Sequence, residues 1–216
     1  MTMKHKFIIT LLFFVNFLIA QTPKNSQYDT IIKTQAYTSY YSKKYCAPIA
    51  VTYTLFNAGG ECDRSSFKFK NDIRGLKTAS DKDYHMTGYD KGHMAPAEAY
   101  AFSCFLQELT FRYYNCVPQD PALNRGQWKA KENAERKLSQ KDTIIVVCFN
   151  EFGKKKIGKV GIPEKCYKFV LNARTKKVLL AFCYTNVGNP VYLNLENQLK
   201  MYKFALSLAG YVPKNK

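Results

Sequence analysis

The chain has 216 residues, of which 46% are hydrophobic and 15% aromatic. These values exclude a peptide too short to bury a core and a disordered protein too polar to form one. Its formal net charge of +17 favours polyanionic partners such as nucleic acids, acidic polysaccharides or anionic membrane surfaces. The charge alone does not separate these partners from one another, or from a basic protein whose charge serves only solubility.

The first twenty residues have the layout of a signal peptide. A short basic start (residues 4–6) precedes an almost wholly apolar run of 14 residues (7–20), and polar Gln21 follows. This run is shorter than the roughly 20 residues that a membrane span needs. We therefore expect residues 1–20 to be removed and residues 21–216 to form a single exported domain, secreted or periplasmic, with a net charge of +15 and no membrane contact.

Cysteine usage agrees with export. The cysteines have no Cys-x-x-Cys spacing, so a structural zinc site is not expected. They are Cys46, Cys62, Cys104, Cys116, Cys148, Cys166 and Cys183. We predict disulfides, although some of these residues could instead be buried free cysteines. Their odd number leaves at least one without a partner in the chain, and the connectivity stays open.

Strands are predicted first around residues 49–55, where Ile49, Val51, Tyr53 and Leu55 alternate with smaller or polar residues. Further segments are rich in aromatic and β-branched residues, which favour strands. These segments are Leu109–Val117, Thr143–Phe149, Cys166–Asn172 and Val178–Tyr184.

Helices are fewer. Residues Ala122–Leu138 contain mostly helix formers, and one apolar face marks a C-terminal helix. That face comprises Leu195, Leu199, Tyr202 and Leu206. Together the elements predict an α+β domain with a largely antiparallel sheet flanked by helices.

Two histidines remain after the expected cleavage, and His93 is the better candidate for chemistry. It follows Gly92, which permits close backbone approach, and it precedes Pro96, so its ring is expected at the end of a strand. His85 follows Tyr84 in an expected preceding strand, and we predict a packing or hydrogen-bonding role for it. A lone histidine is usually structural, so His93 needs further residues to support it.

A second cluster supplies them. Asn124, Trp128, Glu132 and Arg136 recur every four residues, which predicts one face of a helix. A purely structural interpretation also exists, in which Glu132 pairs with Arg136 and Trp128 anchors the helix. An amide, a carboxylate and a guanidinium around a tryptophan are nevertheless unusual for either a core or a solvated face.

These segments resemble a known family. Residues 89–97, 115–119 and 124–128, with Glu132 and Arg136, resemble the DNA/RNA non-specific endonucleases of the ββα-metal (His-Me finger) class. The resemblance is strong over residues 84–138 and weaker from about 45 to 185. It implies a six-stranded antiparallel sheet and a metal finger made of strand, loop and helix.

The resemblance also implies roles for individual residues. His93 corresponds to the general base, and Asn124 to the direct protein ligand of a magnesium ion, with Mn²⁺ as an alternative. Glu132 would hold the water around that ion. Arg136 would support the phosphate or Glu132, and Arg64 is the nearest match to an upstream phosphate-binding arginine.

General chemistry agrees with these roles. Neutral His93 takes a proton from water near its ordinary pKa of about 6.5. Magnesium binds few protein oxygens, and the neutral amide of Asn124 leaves the charge of the ion undiminished for the phosphate. Lys91 stands where the family commonly has arginine, so we expect it to support catalysis with its charge but without a bidentate fork.

The sequence therefore predicts an exported, magnesium-dependent endonuclease that cleaves DNA and RNA through their phosphate backbone. One alternative is a non-catalytic, basic nucleic-acid-binding module on the same scaffold, which an intact set of His93, Asn124 and Glu132 argues against. Another is a toxin-type nuclease with a protein inhibitor as its partner. The sequence leaves the oligomeric state open.

Overall fold

The structure is a computed structural model that describes residues 28–192 together with residues 203, 207, 208 and 210. The predicted signal peptide lies outside the described residues. So does the apolar face of the predicted C-terminal helix, namely Leu195, Leu199, Tyr202 and Leu206.

Antiparallel strands form the centre of the described chain. They are β1 (Thr30–Lys33), β2 (Thr38–Ser42), β3 (Ala47–Leu55), β4 (Asp90–His93), β5 (Cys116–Gln119), β6 (Ile144–Ile157), β7 (Val160–Asn172) and β8 (Val178–Thr185). Six of them form one sheet in the order β1-β2-β3-β6-β7-β8, and β4 pairs with β5 in a separate sheet. Every neighbouring pair is antiparallel, as the sequence predicts.

The helices are short. They are α1 (Asp81–Tyr84), α2 (Cys104–Leu109) and α3 (Lys129–Ser139). Single 3-10 turns cover Ala97–Tyr100 and Tyr113–Asn115, and a π-helical turn, Leu123–Trp128, leads into α3. Within the described residues, no helix is long and apolar enough to cross a membrane.

Alternation along the central strands gives the large sheet two apolar faces. On β6, Val146 and Cys148 point to one face, whereas Val147 and Phe149 point to the other. The first face packs against the layer that contains β4, β5 and the buried side chain of Trp128. This packing holds the small sheet and the helix that follows it against the large one.

Most predicted strands are confirmed, but two expectations for the segment before residue 118 are wrong. The predicted strand Leu109–Val117 is mostly a turn, because Asn115 donates from Nδ2 to the carbonyls of Ala95 and Thr110 and so holds the chain in a bend. Only Cys116 and Val117 belong to a strand. His85 is exposed in the turn after α1, rather than packed in a strand.

The cysteines divide into the two groups that the sequence left open. Cys62 and Cys104 form a disulfide. The remaining five are buried free thiols, namely Cys46, Cys116, Cys148, Cys166 and Cys183. The two cysteines are 42 positions apart, and Cys104 is the first residue of α2, so the disulfide ties the start of this helix to the earlier loop.

A buried ion pair joins the large sheet to α3. Nζ of Lys168 on β7 lies 2.8 Å from the carboxylate of Glu135, and both side chains are 0% exposed. The hydroxyl of Tyr53 on β3 donates to the same carboxylate at 2.9 Å. Such a pair contributes little net stability, because desolvation offsets the attraction, but loss of one partner leaves a buried charge uncompensated.

We predict that Lys168→Met lowers the free energy of unfolding by about 3–5 kcal/mol, because the Glu135 carboxylate loses its counter-charge. The double variant Lys168→Met with Glu135→Gln should recover much of this loss, since the amide oxygen still accepts from Tyr53. Urea unfolding of both variants measures the difference. Equal losses in both would mean that Lys168 acts by packing rather than by charge.

Candidate active site

The short sheet and the following helix form a strand–strand–helix unit that presents His93. Gly92 lies so close to the side chain of Gln119 on the paired strand that a β-carbon there would clash. His93 ends β4 and pairs with Cys116. Immediately after it, Asn115 fixes the chain, because its Oδ1 accepts from the backbone N–H of Ala95 at 2.9 Å. The position predicted for His93 at a strand end is confirmed.

The His93 ring lies in an apolar setting. Its centroid is 4.8 Å from the rings of both Phe69 and Phe111. Its Nε2 is buried and has no hydrogen-bond partner among the described residues. Burial, and secondarily the charge of Arg64, lowers the pKa of His93 to about 3, so the expectation of an ordinary pKa is wrong for the free protein. The ring is neutral at pH 7.

Asp90, at the start of β4, orients the amide of Asn124. Nδ2 of Asn124 donates to the Asp90 carboxylate at 2.9 Å, while Arg125 binds that carboxylate through Nε at 2.8 Å and Nη2 at 2.6 Å. The amide is thereby fixed by its nitrogen, and no described residue donates to Oδ1. Asp90 is a residue of the site that was not predicted, although its place two residues before Gly92 and three before His93 was a usable signal.

The helix that carries Asn124 differs from the predicted one in its register. The π-helical turn Leu123–Trp128 adds one residue, so Lys129 rather than Trp128 joins Asn124 on the exposed wall. Trp128 turns inward, is 1% exposed, and donates from Nε1 to the carbonyl of His93 at 3.2 Å. The predicted four-residue face is therefore correct for Asn124, Glu132 and Arg136, and wrong for Trp128.

A cleft of about 320 Å³ opens between the loop after His93 and this helix. It is lined by Arg64, His93, Pro96, Ala97, Glu98, Asn124, Arg125, Lys129, Glu132 and Arg136. Five of the six predicted site residues thus meet in one place, from segments up to 72 positions apart.

Lys91 is the predicted site residue that does not line the cleft. Its ammonium group binds Asp81 on α1 and lies 5.4 Å from the centroid of Phe69 and 6.0 Å from that of Tyr113. It shares a face of β4 with His93 but points to a neighbouring part of the surface.

Arginines flank the cleft on both sides. Nε of Arg64 lies 3.2 Å from the carboxylate of Glu98, and both side chains are about half exposed. Arg136 donates to Oδ1 of Asn133, one turn earlier on α3. Lys129 is exposed and forms no ion pair with any described residue. The cleft therefore offers cationic groups to an anionic ligand.

Glu132 is the carboxylate nearest the middle of the helix wall. Burial raises its pKa to about 7, with the positive charge of Lys168 opposing and the negative charge of Glu135 adding to the rise. The charges of Arg136 and Arg64 also favour its ionised form. A positive charge that enters the cleft would therefore lower the pKa of Glu132 and favour its ionised carboxylate.

The oxygen donors of the cleft fit a hydrated hard cation. Oδ1 of Asn124 is left free by the bond from its amide nitrogen to Asp90, and the carboxylate of Glu132 lines the same cleft, whereas the carboxylate of Glu98 is paired with Arg64. In the described part of the chain, no group of three or more His, Cys, Asp or Glu residues is arranged to hold a metal ion. An amide and a carboxylate suit Mg²⁺ or Mn²⁺, which keep several waters, better than Zn²⁺, which prefers sulfur and nitrogen.

Comparison with known proteins agrees with this geometry. The model of the DNA/RNA non-specific endonuclease family matches residues 16–209. The mitochondrial nuclease EXOG of Xenopus laevis is 30% identical over 68% of this chain and 46% of its own length. The corresponding Mus musculus protein is 37% identical over 68% and 45%, and a nuclease of Nostoc sp. is 32% identical over 59% and 51%. The chain thus spans about half the length of these curated relatives.

A solved structure has the same fold. The crystal structure of the EndoG/EndoGI complex matches with a TM-score of 0.66 and 21% identity, and the match covers 87% of this chain and 86% of that one. At this identity the likeness concerns the fold alone. Because the family model covers most of the sequence, the chain belongs to the DNA/RNA non-specific endonuclease family.

Proposed function

We propose that this chain is an exported, metal-dependent endonuclease that hydrolyses phosphodiester bonds of DNA and RNA with little regard to sequence. One observation carries the proposal. The buried Nε2 of His93 has no partner among the described residues, in a cleft that it shares with Asn124, Glu132 and three arginines. Buried polar atoms are rarely left without a partner, and one that faces a charged cleft indicates a group that acts on a ligand.

The reaction needs a base, a counter-charge for the phosphate and help for the leaving oxygen. Water attacks phosphorus, Nε2 of His93 takes a proton from that water, and the bond from phosphorus to the 3′ oxygen breaks. The departing oxygen takes up a proton from solvent. Neutral imidazole is the form that this step requires, and burial keeps His93 in that form.

The low pKa of His93 applies to the protein without bound substrate. A phosphodiester brings a negative charge beside the ring, and a nearby opposite charge favours the protonated form of an imidazole. Substrate binding therefore raises the basicity of His93 when a base is needed. Phe69 and Phe111, which lie against the ring, limit how far it can turn.

The cationic side chains of the cleft would hold the phosphate. Arg64 and Arg136 present guanidinium groups, and Lys129 adds an exposed ammonium. We propose that Arg64 exchanges its exposed contact with Glu98 for the substrate phosphate, because an exposed ion pair is worth little.

Asn124 and Glu132 would hold a magnesium or manganese ion, whose charge would neutralise the phosphate and stabilise the departing oxygen. Asp90 prepares this site, because it binds the nitrogen of the Asn124 amide and leaves its oxygen available. All of these contacts address phosphate rather than base edges, which supports cleavage of DNA and RNA alike.

We predict that His93→Ala lowers the rate of plasmid and RNA cleavage at least about 100-fold, since a general base contributes 10²–10⁴-fold. His85→Ala is the matched control, because His85 is exposed in the turn after α1 and should leave the rate unchanged. Chelator and Asn124→Ala should each abolish the magnesium-dependent activity. Gel assays of the purified protein with both substrates measure these rates.

The result that would reject the proposal is binding without cleavage. If the protein retains DNA and RNA but cuts neither with magnesium, manganese or calcium, it is a basic binding module on a nuclease scaffold.

We also predict that Asp90→Ala raises the magnesium concentration for half-maximal activity by roughly 10- to 100-fold, the usual effect of removing a partner that orients a metal ligand. Arg125→Ala serves as the control, because it removes the other group bound to Asp90 and keeps the contact to Asn124. An unchanged magnesium requirement in Asp90→Ala would show that Asn124 needs no such support.

Export is proposed from the basic and apolar start of the sequence and from the disulfide Cys62–Cys104, a bond that persists in oxidising compartments. We expect the exported protein to begin at Gln21 and to carry this disulfide. Intact-mass measurement before and after reduction checks both points. A chain that retains residue 1 in the cytoplasm would contradict the proposal.

A protein inhibitor is the second partner that we propose. The solved neighbour is described in complex with an inhibitor, and inhibition there concerns that protein. For this chain, a co-purifying protein that blocks cleavage at a one-to-one ratio would identify such a partner. Full activity of the protein as purified, with no such companion, would count against one.

A further inference from the structure

A cluster of lysines lies outside the cleft, where the tip of the β6–β7 hairpin meets α1. This lysine cluster consists of Lys77, Lys82, Lys156 and Lys159, all of which are exposed. Lys82 belongs to α1, Lys156 to the end of β6, and Lys159 to the turn that follows. The backbone carbonyl of Lys77 accepts from the hydroxyl of Tyr41, which ties the preceding loop to the same region.

Local contacts hold these lysines together. Gly158 at the hairpin tip packs so closely on Asp83 of α1 that a β-carbon there would clash. Nζ of Lys159 lies 3.8 Å from the same carboxylate. Burial raises the pKa of the Cys46 thiol, and the charges of Lys77, Lys159 and Lys156 oppose that rise.

Acidic groups nearby do not neutralise the cluster. Asp83 accepts from Ser80 and pairs with Lys159, and Asp81 pairs with Lys91. Three members remain without an ion pair among the residues that the structure describes, namely Lys77, Lys82 and Lys156. Like charges repel, so a surface that carries several lysines without ion pairs favours an anionic partner.

A short series of contacts connects the lysine cluster to the cleft. Lys91 and His93 are two residues apart on one face of β4, a separation of about 7 Å, and both contact the ring of Phe69. Lys91 binds Asp81, which belongs to α1. A polymer that occupies the cleft and continues along β4 therefore reaches α1 and the hairpin tip.

We propose that the lysine cluster is a second binding surface for the polynucleotide backbone, which contacts phosphates several nucleotides away from the bond that is cut. This inference rests on the proposed nuclease function. A polyanion that contacts separated cations releases counterions at each contact, and this adds affinity without reading sequence. The surface raises the occupancy of long substrates and takes no part in the chemical step.

The test compares two double variants that each remove two charges. Lys77→Gln with Lys156→Gln removes unpaired members of the cluster. Arg174→Gln with Lys177→Gln changes exposed residues in the turn between β7 and β8, at the other end of β7 and about 40 Å away along that strand. Each protein is assayed on long duplex DNA between 50 and 200 mM salt and on bis(p-nitrophenyl) phosphate, which is too small to reach the cluster.

We expect the cluster variant to raise the KM for long DNA roughly tenfold or more at about 0.1 M salt, and to reduce the log–log salt slope by about 1.8, since each phosphate contact contributes about 0.9. Its kcat, and its rate on the small diester, should equal those of the wild type. The control variant should change neither quantity.

Three results overturn the inference. The first is an equal effect of both double variants on the KM for DNA, and the second is an equal loss on DNA and on the small diester. The third is loss of binding to phosphatidylserine vesicles with an unchanged KM for DNA, which would make the surface a lipid contact. If the wild type cleaves neither substrate, the proposed nuclease function fails independently of the lysine cluster. The affinity of each double variant for labelled duplex DNA, measured in the presence of chelator, then still tests the binding surface.

Discussion

The side chain of Trp128 connects the layers on which the candidate site depends. Its indole nitrogen donates to the carbonyl of His93, and its ring centroid lies 4.7 Å from Nζ of Lys168 on the large sheet. Lys168 in turn binds Glu135, three residues after Glu132 on α3. One buried ring therefore links His93 to the helix wall of the cleft, and the buried ion pair fixes the helix to the sheet beneath it.

The π-helical turn makes this arrangement compatible with a metal site. In an ordinary α-helix, residues four apart lie on one face, so Asn124 in the cleft would bring Trp128 there as well. One extra residue in the turn lets Asn124 and Lys129 share the exposed wall while Trp128 enters the core. π-Helical turns are rare, and those that occur are frequent at functional sites. Here the turn separates a packing residue from the candidate ligand.

Sequence patterns predicted four of the six strands of the large sheet, β3, β6, β7 and β8, because alternation or a high content of aromatic and β-branched residues reflects burial in the sheet. They did not predict β1 and β2, the short strands at one edge of that sheet. They failed at Leu109–Val117, where aromatic residues mimic a strand but the side chain of Asn115 bends the backbone. At the site, five of the six residues that the family resemblance implies line the cleft. Sequence patterns missed the π-helical register and Lys168, since a lysine within a strand reads as a solvent-facing residue until its partner from a distant helix is known.

Burial moves His93 and Glu132 of the cleft toward their neutral forms, and the two pKa shifts have opposite consequences for the proposed chemistry. A pKa of about 3 leaves His93 neutral, which is the form that a general base requires. A pKa of about 7 leaves Glu132 partly protonated, whereas a ligand of a cation must be ionised. A phosphate anion raises the pKa of His93, and a cation lowers that of Glu132. In the proposed reaction, substrate and metal would therefore each favour the form of the side chain that serves them, neutral His93 made more basic and Glu132 ionised.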